Sequence, residues 1–179
     1  QTIDVSESGE YGVEVGNGNE NNYAMSFDGN NSIEVVEVNS ALDDISNSVT
    51  FEAEIYIHTI PTGAHARIIH RSEGIGGVQN RYGLSVTPFE QGNGTIEFFI
   101  SGIGWISTDT PLNLNQWYHI SALYDGTEMK IYIDGVLTAT MPASGTFEVN
   151  DWPFWLASAN NNSFFDGIID NVRIWNYAL

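Results

Sequence analysis

Between Trp117 and Met141 the chain reads W-Y-H-I-S-A-L-Y-D-G-T-E-M-K-I-Y-I-D-G-V-L-T-A-T-M, alternating apolar and polar residues punctuated by two Asp-Gly pairs. Asp-Gly between such runs is the strongest short-range signal for a β-hairpin, because the tight turn that matches strand twist asks both central residues to accept positive φ. Two in succession predict a three-stranded antiparallel meander over 117–124, 128–133 and 136–141, a unit that has to bury one face against a second sheet.

The rest of the chain follows the same rhythm. Residues 49–58 alternate strictly, with Phe51, Ala53, Ile55 and Ile57 on one face and Thr50, Glu52, Glu54, Tyr56 and His58 on the other. Further strands are predicted at 23–27, 32–38, 67–71, 81–87, 95–100, 105–108, 147–149, 154–157 and 168–175, joined by Gly-, Asn- and Asp-rich turns. Only residues 40–45 could form a helical turn, too short to be more than a connector. About a dozen strands without βαβ units predict an all-β antiparallel sandwich. Residues 1–22 stand apart: T-I-D-V-S-E-S-G-E-Y-G-V-E-V reads as a short hairpin or strand, followed by a Gly/Asn linker, G-N-G-N-E-N-N. The first 22 residues are therefore set off as an extension and 23–179 as the folded domain.

Charge narrows the partners. The chain carries 23 acidic residues against 5 basic ones, a formal charge of −18, and Arg67, Arg71, Arg81, Lys130 and Arg173 are scattered along the sequence. No basic patch for nucleic acid or an anionic membrane is predicted, and no run reaches the ~18 apolar residues of a membrane helix. With no cysteine, disulfides, zinc-thiolate sites and cysteine nucleophiles are excluded.

Several stretches carry a resemblance. W-Y-H-I-S-A-L-Y-D-G-T-E-M-K-I-Y-I-D-G (117–135) resembles the W-x-H-v-A-x-x-y-D-G-x-x-x-x-l-Y-v-D-G signature of laminin-G-like domains in the concanavalin A-like lectin/glucanase superfamily. F-D-G-I-I-D-N-V-R-I-W-N-Y-A-L (165–179) is similar to that family's closing strand, Y-A-M-S-F-D-G-N-N-S-I-E-V (23–35) to its opening, and V-T-F-E-A-E-I-Y-I (49–57) to its F-T-v-E-x-W-v strand. Asn171 and Tyr56 depart from the usual Glu and Trp. The resemblance covers residues 23–179 and implies a two-sheet jelly roll, from an extracellular or cell-surface multidomain protein, acting as a monomeric module that binds a glycan or a cell-surface protein. Residues 2–15 resemble the closing hairpin of bacterial immunoglobulin-like modules, which makes them either the tail of a preceding domain or a strand of this one.

The family often carries a structural calcium near its first and last strands. Here the two F-D-G motifs, at 27–29 and 165–167, would bring Asp28 and Asn30 to Asp166 and Asp170, a predicted Ca2+ site of carboxylates and turn carbonyls. Asp170 lies within a strand, where an uncompensated carboxylate is costly, so it is expected to be a ligand or the partner of Arg173. For sugar recognition, aromatic faces and planar polar groups point to Trp105, Arg81 with Tyr82, Trp152, Asn160 and Asn161. Trp117, Trp155 and Trp175 are expected to be packing residues, and His119 a satisfied core histidine. No pair of carboxylates stands out as a glycosidase dyad. Glu52 and Glu54 share a strand face that fits a solvated sheet surface equally well, and His70, Arg71 and Tyr82 contain a lyase's residue types without its motif. The expected function is non-catalytic carbohydrate binding or adhesion; the alternatives are a structural spacer or protein-contact module, and a divergent polysaccharide hydrolase or lyase.

Overall fold

The computed structural model describes residues 4–5, 13–14, 24–35, 45–72, 80–91, 93–146, 152–159 and 163–179. The expected strand at 147–149, the connector at 40–44 and the candidate residues Asn160 and Asn161 lie outside them. Among the described residues there are fourteen strands: β1 (Asp4–Val5), β2 (Val13–Glu14), β3 (Met25–Asp28), β4 (Ile33–Val35), β5 (Val49–Ile57), β6 (Ala66–Ser72), β7 (Asn80–Val86), β8 (Ile96–Ile100), β9 (Gly104–Ser107), β10 (Trp117–Tyr124), β11 (Glu128–Ile133), β12 (Val136–Pro142), β13 (Phe154–Leu156) and β14 (Asp166–Trp175). Apart from β1 and β2, which pair with each other while β2 lies against β14, they form two six-stranded antiparallel sheets. The first runs β12-β11-β10-β5-β14-β3 and the second β4-β13-β6-β7-β8-β9, a jelly-roll sandwich with no helix among the described residues.

The meander forms as its turns predict, though by two different devices. Asp134 and Gly135 both take positive φ, 51° and 76°, giving the two-residue turn between β11 and β12. Between β10 and β11 only Gly126 does so, because Thr127 joins the loop. There Asp125 acts through its side chain: Oδ1 accepts the Thr127 N–H at 2.8 Å, the Thr127 hydroxyl at 2.7 Å and the Glu128 N–H at 2.9 Å.

Alternation decides the core. Phe51, Ala53, Ile55 and Ile57 of β5 are all buried, and the Phe51 ring meets Tyr82 of β7 at 5.5 Å and Phe98 of β8 at 5.9 Å, joining the two sheets. Each fully buried Phe or Ile contributes about 1.5–3 kcal/mol, so the alternating faces are what hold the sandwich shut. On the far side, β9 touches β11 and β12.

First and last strands lie side by side, as the paired F-D-G motifs require: β14 pairs with β3 from Asp166↔Asp28 to Ile169↔Met25, and with β5 on its other side. Glycine is needed at 167 because a Cβ there would strike the Tyr56 carbonyl and the Phe165 ring. After β14 the tail is clasped by the buried Thr50 hydroxyl, which donates to the Tyr177 carbonyl at 2.8 Å and accepts the Leu179 N–H at 3.1 Å.

Candidate functional site

The outer face of the second sheet carries a strip of rings. Register places Glu34, Trp155, His70, Gly83, Phe99 and Trp105 side by side across β4, β13, β6, β7, β8 and β9. They face outward because Phe154, Leu156, Leu84, Phe98 and Ile106 on the same strands fill the core. Gly83 keeps the strip continuous: the His70 imidazole lies over its Cα, and a Cβ would run into Nδ1. At one end Trp155 is 2% exposed; at the other Trp105 is 64% exposed, its ring open to solvent.

Beside this strip runs a polar row, Arg67, Ser85, Glu97 and Ser107. The two rows meet in a groove of about 300 Å³ lined by Thr87, Gln91, Glu97, Phe99, Trp105 and Ser107. Gln91 reaches it from the β7–β8 loop, whose shape is fixed locally. The N–H groups of Gln91 and Asn93 both donate to the Pro88 carbonyl at 3.0 Å, and the Phe89 N–H donates to Pro61. Glu90 ties the loop down by accepting the Gly63 N–H at 3.1 Å, a bond that holds its carboxyl below the ordinary carboxylate range.

The groove's electrostatics are polarised. Arg67 donates from Nη1 to the Ser85 hydroxyl at 3.0 Å; burial pushes its guanidinium below the ordinary arginine value, and the field of Glu97 opposes that. Glu97 lies 3.2 Å from Nε2 of His65. The carboxylate thus lines the groove while the arginine is withdrawn behind Ser85. Exposed indole, half-buried phenyl ring, carboxylate, amide and the Ser107 hydroxyl together can stack on the C–H face of a sugar and bond its hydroxyls.

Of the described residues expected from sequence to bind sugar, Trp105 alone lines this groove. Arg81 and Trp152 are brought together elsewhere, the guanidinium carbon 4.6 Å from the indole centroid in a cation–π contact. Tyr82 is corrected: it is 2% exposed and packs on Phe51 and Phe154, because the alternation that turns Arg81 outward turns its neighbour inward. Glu97, Phe99, Gln91 and Ser107 were missed. One signal was present, since Phe99 and Trp105 are each three residues from Gly102 in the S-G-I-G turn, the spacing of a facing pair in a hairpin that turns about that glycine.

Of the predicted calcium ligands, Asp28 and Asp166 are brought together and Asp170 is set apart. Asp28 and Asp166 are register partners, but Asp170 lies four residues along β14, about 13 Å away at strand rise, opposite Glu54. There β14 bulges, and Asp170 Oδ1 accepts the Asn171 N–H at 2.8 Å, the local contact that compensates it. Asp28 Oδ1 accepts the Asn30 N–H at 3.0 Å, while Asp166 accepts the Thr59 hydroxyl at 2.8 Å and faces His58 Nδ1 at 3.3 Å. Among the described residues no group of three or more His, Cys, Asp or Glu is placed to hold a metal.

The opposite face, on the first sheet, corrects two packing expectations. Trp117 is 43% exposed with Tyr56 beside it at 5.6 Å, and His119 is a half-exposed surface residue, Nε2 3.6 Å from Glu52. Glu52 also accepts the Trp175 indole N–H at 2.7 Å.

Comparison with known proteins agrees with this architecture. By fold the chain is similar to the CBM40 of the Ruminococcus gnavus IT-sialidase, solved bound to α2,3-sialyllactose (TM-score 0.69, 13% identity, 87% of this chain and 90% of that one). It is similar also to domain 4 of AbnA, a GH43 extracellular arabinanase from Geobacillus stearothermophilus, solved with arabinotriose (TM-score 0.66, 18% identity, 99% and 82%). A third is a carbohydrate-binding protein of Bacteroides ovatus, assigned as such without proof (TM-score 0.64, 20% identity), of which this chain covers 87% of its own length and spans 44% of the other's. A search of curated proteins finds no match. The laminin G family model described as concanavalin A-like lectin/glucanases superfamily matches residues 27–179, and the chain belongs to that family.

Proposed function

We propose that the domain is a non-catalytic glycan-binding module of a larger extracellular protein, and that it binds through the Trp105 groove. The observation that carries this is the groove itself: an indole 64% exposed on a rigid hairpin, next to Phe99, with Glu97, Gln91 and Ser107 around it. An exposed aromatic plane ringed by hydrogen-bonding groups is what sugar stacking needs. The similar folds solved with arabinotriose and sialyllactose support the same role. A hydrolytic role is not favoured, because a glycosidase needs two carboxyl groups across its bond and the groove is lined by one, Glu97. The test is a glycan array probed with wild-type protein and Trp105→Ala. Binding to at least one glycan that the variant loses is expected; a spacer or protein-contact module would bind none, and release of reducing sugar would return the enzyme alternative.

A further inference from the structure

The chemistry of the groove says which glycans it takes, an inference that rests on the glycan-binding role above. Among the described residues lining the groove Glu97 supplies the one formal charge, and it is negative. The basic groups near it stand behind the groove and do not line it: His65 Nε2 is 3.2 Å from its Oε1. Arg67 lies two strands away across Ser85, which is fully buried, and its Nη1 is engaged with the Ser85 hydroxyl. An incoming ligand therefore meets a carboxylate first, with the guanidinium behind it.

We infer that the groove selects uncharged oligosaccharides and turns away those bearing a carboxylate, such as uronates and sialates. A carboxylate accepts hydrogen bonds and donates none, so it pairs with sugar hydroxyls, and bonds to an ionised acceptor are about twice as strong as neutral ones. Gln91 and Ser107 complete a rim that recognises hydroxyls without supplying a cation. An acidic sugar on the Trp105 ring would bring a second negative charge close to Glu97, in a setting where side chains are partly withdrawn from water and screening is weak. The chain's formal charge of −18 acts in the same direction at longer range. The groove thus differs in expected ligand from the sialyllactose-bound fold it resembles.

The test uses matched pairs that share a backbone and differ in charge: lactose with sialyllactose, and methyl-esterified with free oligogalacturonate, arrayed among other neutral glycans and titrated at physiological salt. In the pairs the protein binds, the neutral member is expected to bind at least tenfold tighter. Glu97→Gln should weaken neutral binding about tenfold, as expected for loss of a charged hydrogen bond, and bring the two members within about threefold of each other. Gln91→Glu, on an exposed loop where folding is not at stake, should widen the gap. Acidic members that bind as tightly as neutral ones, or a gap unmoved by both substitutions, would overturn the inference while leaving glycan binding intact. Failure of every glycan to bind would instead bring down the glycan-binding role, and this inference with it.

Discussion

Replacing Trp105 with Ala separates what this residue does for the fold from what it does for the ligand. The ring is 64% exposed, so of the roughly 250 Å² of a tryptophan side chain about 90 Å² is covered within the domain. At ~25 cal/mol per Å² that is about 2 kcal/mol, an upper figure because an unfolded chain also shields some surface. For a chain of this size the melting temperature should fall by no more than about 4–8 °C. The open portion is about 160 Å², and a sugar ring stacked on one face would cover roughly half of it, again worth about 2 kcal/mol, or about thirtyfold in Kd. Calorimetric titration of an array-identified oligosaccharide, beside a thermal melt, reads both quantities on one sample. Trp117→Phe, on the opposite sheet, is the control and should leave Kd unchanged. A Trp105→Ala protein that melts normally and binds within threefold of wild type would refute the stacking argument.

Other perturbations probe the surroundings. Gly83→Ala drives a methyl into the His70 imidazole, so it should destabilise the domain by about 1–3 kcal/mol and shift the His70 ring resonances; an unchanged melt would mean the ring does not lie over Gly83. Asp125 has its carboxyl held below the ordinary range, chiefly by the Thr127 hydroxyl and then by the Thr127 and Glu128 N–H groups and Lys130. The stability it supplies is therefore present above the unfolded value near 3.9 and is lost as pH falls through the lower folded value. Melts from pH 6 to pH 2 should show a shallower acid decline in Asp125→Asn than in wild type, and parallel curves would contradict this. Adding a chelator should leave the melting temperature unchanged, because Asp170 is remote and the Asp166 oxygens already meet Thr59 and His58; a drop of several degrees would place a cation between Asp28 and Asp166.

What could be read in the sequence is what depends on neighbours along the chain. Strand period and Asp-Gly spacing placed β10 and β11 at their observed limits, while the pairing of β3 with β14 was expected from the two F-D-G motifs and the family they resemble. What depends on register between distant strands could not be read. Asp170 looked like a calcium ligand because a carboxylate within a strand is costly without a partner, and nothing local announces the bulge at Asn171, whose φ is 48°. Glu97 and Gln91 gain meaning only once β8 and the β7–β8 loop are seen to flank Trp105. Trp152 meets Arg81 although 71 positions separate them, a contact that spacing along the chain could not supply. Tyr82 was named beside Arg81 for its ring, against the alternation that buries it.

The groove on the second sheet is tested most directly by chemical-shift mapping of the nitrogen-15-labelled protein during titration with a neutral oligosaccharide. Glycan binding at Trp105 predicts that the largest shifts fall on the Trp105 indole, Phe99, Glu97, Gln91 and Ser107, with Tyr56, Trp117 and His119 on the other face unmoved. Shifts centred on Tyr56 and Trp117, or none in the groove at saturating ligand, would contradict it.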